Sequence, residues 1–311
     1  MFKQLVTEGF NGYSVQFNPF FENKLAVASS ANFGLVGNGR LFLLADTPEG
    51  IVIEKIFDTQ DGLFDIAWSE ENENHLITCS GDGSIKLWDA NLNDFPIMNW
   101  SEHEREVFSV NWNLIKKDLF LSCSWDKTIK VFRPDRAVSI ATFKEHSGCV
   151  YEASWSPYDP DLFASVSGDH SLKVWDLKVP NSTLTIPAHD HEVLSMDWNK
   201  YNQGQIVTGS ADQSIKLWDI RNPRQPIAHL AGHQYAVRRV RCSPHHGNIV
   251  ASSSYDMTVR LWDLDQLQGN PMVFVHDAHR EFAMGIDFNL YIPSLLATCA
   301  WDEQVHLLKL P

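Results

Sequence analysis

Cysteine is scarce in this chain: five residues among 311, at positions 79, 123, 149, 242 and 299, with no CxxC spacing. An odd, scattered set argues against a disulfide framework and a zinc ribbon, and it fits a reduced, intracellular protein. Long apolar runs are missing too. Nowhere is there an uncharged apolar stretch of the roughly eighteen residues that a membrane span needs. The start, Met1-Phe-Lys-Gln-Leu-Val-Thr-Glu8, lacks the apolar core of a signal peptide, and the final Leu-Lys-Leu-Pro311 carries no lipidation or retention signal. A soluble protein with no membrane insertion is expected. Positive charge is the third deficit, since 25 Lys+Arg against 39 Asp+Glu leave a net charge of −14. That sign is wrong for neutralising nucleic-acid phosphates or anionic lipid, so the expected partner is positively charged and no nucleic acid is involved. Apolar residues, by contrast, are plentiful. The chain is 44% hydrophobic with 11 Trp and 18 Phe, enough for a large core and too much for wholesale disorder.

An internal repeat organises these residues. Aspartates at turn positions, Asp82, Asp126, Asp169, Asp212, Asp256 and Asp302, are separated by 44, 43, 43, 44 and 46 residues. Six residues after each stands Trp88, Phe132, Trp175, Trp218, Trp262 or Leu308, and four of these begin a Trp-Asp pair, at 88–89, 175–176, 218–219 and 262–263. A hydroxyl always lies four before the aspartate (Thr78, Ser122, Ser165, Thr208, Ser252, Thr298). Histidine lies 23 before it in five units (His103, His146, His189, His233, His279). Taken singly, a His-Ser-Asp set could be read as a nucleophile triad. A catalytic site is not built five times in register, whereas a buried hydrogen-bond relay is, so these residues read as structural cement and no enzyme is expected.

Between the markers run short alternating strands such as Phe64-Asp-Ile-Ala-Trp68, His75-Leu-Ile-Thr-Cys79 and Ser84-Ile-Lys-Leu-Trp88, parted by Asp/Gly/Asn/Pro turns. Four strands per unit make one blade of an all-β WD-repeat propeller. A degenerate first unit (Tyr13–Phe17, Lys24–Ala28, Arg40–Leu44, Ile51–Lys55), with Asn38 in the aspartate position, brings the blade count to seven. The last unit stops after its third strand, Gln304–Leu308. Its outer strand must therefore be Phe2–Val6, which closes the ring and removes the free edges. Blades contact only their neighbours, so residues 1–311 are expected to form one domain. Cys79, Cys123 and Cys299 fall on second strands as small apolar packing residues.

Several segments are more specific than the repeat. Asn32-Phe-Gly-Leu-Val-Gly-Asn-Gly39 lies in the degenerate blade, where the generic pattern dictates nothing. Together with Gly9-Phe-Asn-Gly-Tyr-Ser-Val-Gln-Phe-Asn-Pro-Phe-Phe21, Gln60-Asp-Gly-Leu-Phe-Asp-Ile-Ala-Trp68, Glu102-His-Glu-Arg-Glu-Val-Phe-Ser-Val-Asn-Trp112, Ser243-Pro-His-His246 and Ser254-Tyr-Asp-Met-Thr258, it resembles the import receptors for the type-2, N-terminal peroxisomal targeting signal. The similarity runs from near the N-terminus to Pro311. It implies a cytoplasmic receptor that binds a helical N-terminal signal beginning with Arg or Lys on peroxisomal matrix proteins. It also implies action with an import co-receptor, delivery to the peroxisomal docking machinery, and return.

Propellers bind on the face that carries the turns between second and third strands. Three positions per blade point there: the residue before the turn aspartate, and those three and five after the histidine. Aromatic and apolar residues crowd these positions, and buried aromatic anchors dominate binding energies. The expected peptide site comprises Phe64, Phe108, Trp125, Tyr151, Leu194, Tyr255, Met284 and Trp301, with carboxylates Asp61, Glu106 and Glu192 in the same ring and Asp65 nearby. A helix with apolar residues at i, i+3 and i+7 would lie on the aromatics, its leading Arg against the acids. Arg238, Arg239 and Arg241 are expected in ion pairs. His245-His246 and His189-Asp-His191 lack a third ligand, so neither metal nor cofactor is expected. The competing reading is a substrate adaptor of a ubiquitin ligase, because Ile206-Val-Thr-Gly-Ser210 followed by Lys216-Leu-Trp-Asp-Ile-Arg221 resembles a WDxR docking box. A generic protein-interaction scaffold comes third.

Overall fold

The computed structural model describes residues 2–92 and 95–310. Within them, 28 strands form seven four-stranded antiparallel sheets. Six sheets take their strands in chain order from the innermost outward, over residues 11–59, 63–100, 107–143, 150–187, 193–231 and 237–276. The seventh joins Ala283–Phe288, Leu295–Ala300 and Gln304–Lys309 to Phe2–Val6 as its outer strand. The closing pair runs from Phe2 opposite Leu308 to Val6 opposite Gln304, as the strand deficit required. Beyond the ladder, Thr7 N–H donates to the Glu303 carbonyl (2.8 Å), Gly9 N–H donates to the Glu303 carboxylate (2.8 Å), and Lys3 pairs with Asp46 of the first blade.

The repeated residues build the relay that their spacing suggested. In the fourth blade His146 bonds Asp169 through Nδ1 (2.8 Å) and Ser165 through Nε2 (2.7 Å), while the Trp175 indole N–H donates to the same hydroxyl (2.8 Å). The fifth and sixth blades repeat it with His189, Thr208, Trp218 and with His233, Ser252, Trp262. Burial pushes the Asp169 carboxyl up, but the bonds from His146 and Ser171 outweigh it and hold the group far below the usual range. A second stitch joins blades: Gln16, Asn111, Asp197 and Asp287 each accept the backbone N–H of the next blade's inner strand, at Trp68, Trp155, Cys242 and Phe17 (2.8–3.1 Å).

The last blade departs from the pattern. Leu308 stands where Trp would donate, and His276, His279 and His306 gather instead, all buried, with ligand nitrogens within 4.8 Å of one another. The sequence reading did not single out this cluster. Its hydrogen bonds already define one tautomer chain: His306 Nε2–H to Gln304 Oε1 (2.9 Å), His276 Nε2–H to His306 Nδ1 (2.9 Å), and His279 Nδ1–H to Asp302 (3.0 Å). The His279 and His306 rings stack nearly parallel (4.2 Å, 7°), so their lone pairs do not converge as those of two ligands on one ion must. Phe2 of the closing strand packs on both His276 and His306 (5.0 and 4.5 Å).

Burial, then the neighbouring histidines, pulls His276 down to about 4 and His306 to about 3. Histidines held neutral in the fold let the unfolded chain take up protons first, so their contribution is present above about pH 6.5 and is lost as pH falls toward these values. Asp287, pushed up to about 7 by burial, acts in the opposite sense between pH 7 and 3.8, partly offsetting them. The expected result is a melting temperature that falls from pH 6.5 to pH 4. In His306→Gln the melt should be lower at pH 7 but less steep with acid. Parallel wild-type and variant curves would remove the cluster as the cause.

Candidate functional site

Every inner strand carries a β-bulge at the same place, shown by register breaks at 12/14, 63/65, 107/109, 150/152, 193/195, 237/239 and 283/285. The skipped residues are Tyr13, Phe64, Phe108, Tyr151, Leu194, Arg238 and Met284. A bulge leaves its extra residue out of the ladder and re-aims the side chain. These seven are the residues five after the histidine position, and the bulge is what turns them toward the channel mouth.

There the rings form a continuous crescent. Tyr255 stacks on Phe282 (4.6 Å), Phe282 meets Trp301 (5.1 Å), Trp301 meets Tyr13 (5.7 Å), and Tyr13 leads through Phe64 (5.0 Å) to Phe108 (5.2 Å). Phe108 then touches both Trp125 (5.3 Å) and Tyr151 (5.7 Å). Phe108, Trp125, Tyr151, Tyr255 and Trp301 remain partly accessible, whereas Phe64, Leu194 and Met284 are buried and form the floor beneath them. The crescent is open where the fifth blade contributes Leu194 and Ala211.

Two glycines make room for acids on the rim. A Cβ on Gly81 would stand 3.2 Å from Asp61 Oδ1, and one on Gly168 only 2.9 Å from Glu192 Oε1. Asp61 is further held by the Gly62 N–H (2.7 Å), and the Tyr151 hydroxyl donates to Glu192 Oε2 (3.3 Å). Burial and then the Glu192 charge raise the Tyr151 phenol, so it stays a donor. Glu106 is half-buried, and its backbone carbonyl accepts Trp125 N–H (3.0 Å).

Asp65 does not belong with these acids. It is 3% exposed, bonded to Arg239 (3.1 Å) and to the backbone N–H of Val110 (3.3 Å). Because Phe64 occupies the bulge, the next residue points down the channel and meets a guanidinium four blades further round the ring. Glu152, not singled out in the sequence, completes that network by accepting from Arg239 (3.2 Å) and Arg241 (2.8 Å). Arg239 and Arg241 are therefore ion-paired inside the channel on one shared carboxylate, whereas Arg238, expected in an ion pair as well, has none among the described residues, because as the bulge residue it is aimed away from these acids. Arg221 of the WDxR-like segment folds back onto Asp219 in a two-pronged bond (2.8 and 2.6 Å).

Phe33 extends the crescent and was not foreseen as part of it. It packs on Trp301 (5.5 Å), and the adjoining Leu35 and Val36 are 83% and 74% exposed. Asn32, Phe33 and Gly34 all have positive φ (49°, 57°, 69°), a costly conformation away from glycine. Asn11 accepts the Phe33 N–H (2.7 Å) and Tyr13 donates to its carbonyl (2.7 Å), which holds the turn in place. The only sequence sign was the unusual Asn-Phe-Gly-Leu-Val-Gly segment itself.

Comparison with known proteins agrees with this architecture. The model of the WD domain, G-beta repeat, matches residues 53–89 and 95–133, and that of the EIPR1 beta-propeller matches residues 136–262. Among the described residues no helix is long and apolar enough to cross a membrane. The chain is 49% identical over 306 residues to the Peroxisomal targeting signal 2 receptor of Mus musculus, covering 98% of this chain and 96% of that protein. It is 61% identical to the protein of that name from Dictyostelium discoideum (91% and 90% covered) and 57% to Peroxisome biogenesis protein 7 of Arabidopsis thaliana (96% and 95%). With this identity along nearly its whole length, the seven-bladed chain belongs to the family of peroxisomal targeting signal 2 receptors.

Proposed function

We propose that this chain is a non-catalytic import receptor that holds the N-terminal helical targeting signal of peroxisomal matrix proteins on the crescent face. It does so with a co-receptor, moving between the cytosol and the docking machinery of the peroxisome. The observation that carries this reading is the joining of a continuous aromatic surface, Tyr255 to Tyr151, with the rim carboxylates Asp61, Glu106 and Glu192. An amphipathic helix presents an apolar stripe to the rings and a basic residue to the acids, and the net charge of −14 favours its approach. With Asp65 held in the channel by Arg239 and Phe64 buried beneath the accessible rings, the contact set reduces to Asp61, Glu106, Phe108, Trp125, Tyr151, Glu192, Tyr255 and Trp301, over a floor of Phe64, Leu194 and Met284. The repeated His-Ser-Asp sets, each bonded within its own blade, act as cement.

The test is titration of the purified protein with a fluorescent helical peptide bearing the signal, with and without co-receptor. Trp125→Ala is expected to weaken capture by ten-fold or more, as loss of an aromatic anchor worth about 2 kcal/mol does, and to leave the melt nearly unchanged. Asp169→Ala should do the reverse, lowering stability by about 1–3 kcal/mol by orphaning His146 and Ser171. Equal effects of both variants on folding and binding would refute the division between cement and site.

A further inference from the structure

Six of the seven bulge residues are apolar or aromatic; the seventh is Arg238. Its side chain is buried, with only 2% of the residue exposed, and its guanidinium lies 4.9 Å from the centre of the Phe108 ring. Neither Nε nor Nη2 finds a hydrogen-bond acceptor among the described residues. The carboxylates that could serve it are engaged elsewhere: Asp65 bonds Arg239, and Glu152 bonds both Arg239 and Arg241. Trp125, stacked on the same Phe108 ring, also buries an indole N–H with no acceptor. Arg238 thus sits beside a second buried cation, Arg239, and among the described residues no acceptor meets its Nε or Nη2.

An isolated buried charge is among the most costly features a fold can carry, and an arginine cannot relieve that cost by giving up its proton. A phenyl face offers a guanidinium some attraction but accepts none of its in-plane hydrogen bonds. The missing element is a compact acceptor bearing negative charge. We propose that Arg238 forms the base of a small-anion site in the neck of the channel beneath the aromatic crescent, taking a halide ion or the carboxylate of a bound polypeptide. A halide would fill the site in the free protein, where the orphaned donors already exist, whereas the carboxylate source rests on the reading given above. Whichever source fills it, the anion sits under Phe108 and Trp125 and couples their positions to Arg238, so occupancy stiffens the centre of the binding face.

Crystals grown in sodium bromide and measured at the bromine absorption edge test the site directly. An anomalous peak within hydrogen-bond distance of Arg238 Nε or Nη2, absent in Arg238→Met, is the expected result for a free ion. Melting over a series of chloride concentrations, with Arg238→Met as the reference for ionic strength, gives a second readout. Chloride should raise the wild-type midpoint by a few degrees relative to that of Arg238→Met, since only a ligand bound to the folded state shifts the difference. If the anion is instead a ligand carboxylate, the free protein shows no bromide. A complex with the signal peptide then places a carboxylate oxygen on the guanidinium, and acid-to-amide replacement of that residue weakens binding at least ten-fold in wild type but not in Arg238→Met. A bromide peak that persists in Arg238→Met marks an adventitious ion only and overturns the proposal. So does the finding of neither halide nor carboxylate at Arg238 in both crystals.

Discussion

Replacing Glu106 by Arg is expected to abolish capture of the targeting signal while leaving the protein folded. Among the described residues no hydrogen bond or ion pair passes through the Glu106 side chain, while its backbone carbonyl accepts Trp125 N–H. Glu106 is half-buried and its backbone meets that of Trp125, so a helix resting on the crescent would exclude water from its carboxylate. Removing one partner of a desolvated charge pair costs about 2–5 kcal/mol, or roughly thirty- to several-thousand-fold in affinity, and the new like charge adds to this. A rim charge left in water would mainly change association rate and salt dependence. The companion measurement is a signal peptide whose leading Arg is changed to Glu, which should regain affinity for Glu106→Arg and lose it for the wild type. A Glu106→Arg protein that binds the unmodified peptide at full strength would remove this acid from the site and leave the aromatic crescent as its remaining element.

Deleting residues 2–6 is expected to lower the melting temperature by on the order of 10 °C, corresponding to several kcal/mol in a chain of this size. Five residue pairs tie that strand to Gln304–Leu308, and Leu5 packs into the cluster formed by the first and last blades. Without it the Gln304–Lys309 strand becomes an open edge, Phe2 no longer covers His276 and His306, and the link from Lys3 to Asp46 is lost. The loss falls on the one junction that no continuous loop reinforces. Thermal melting with and without the strand, followed by addition of a synthetic peptide of residues 1–8, separates ring closure from general truncation: the peptide should restore part of the midpoint. A truncated protein that melts like the full chain would show that the ring is closed by contacts between the first and last blades alone.

The sequence by itself determined the blade count, the closing strand and the identity of the cement, because each depends on short-range spacing. The turn aspartate, the hydroxyl four before it and the histidine 23 before it must meet within one hairpin or the loop leading into it, so their pattern survives in one dimension. The partners of Asp61 and Asp65 do not work that way. The two residues are four apart and chemically alike, yet one sits on the rim over Gly81 and the other in the channel on Arg239. What separates them is the bulge at Phe64, a register break that no residue type announces, together with a cation 174 residues further along the chain. The same applies to Phe33, whose place beside Trp301 requires both ring closure and a left-handed turn braced by Asn11 and Tyr13. It applies again to His276 and His306, which meet where Leu308 stands in the place that four other blades give to tryptophan. Local hydrogen-bond geometry can be read along a chain, whereas side-chain direction at a bulge and charge pairing across a channel are decided only when seven blades share one axis.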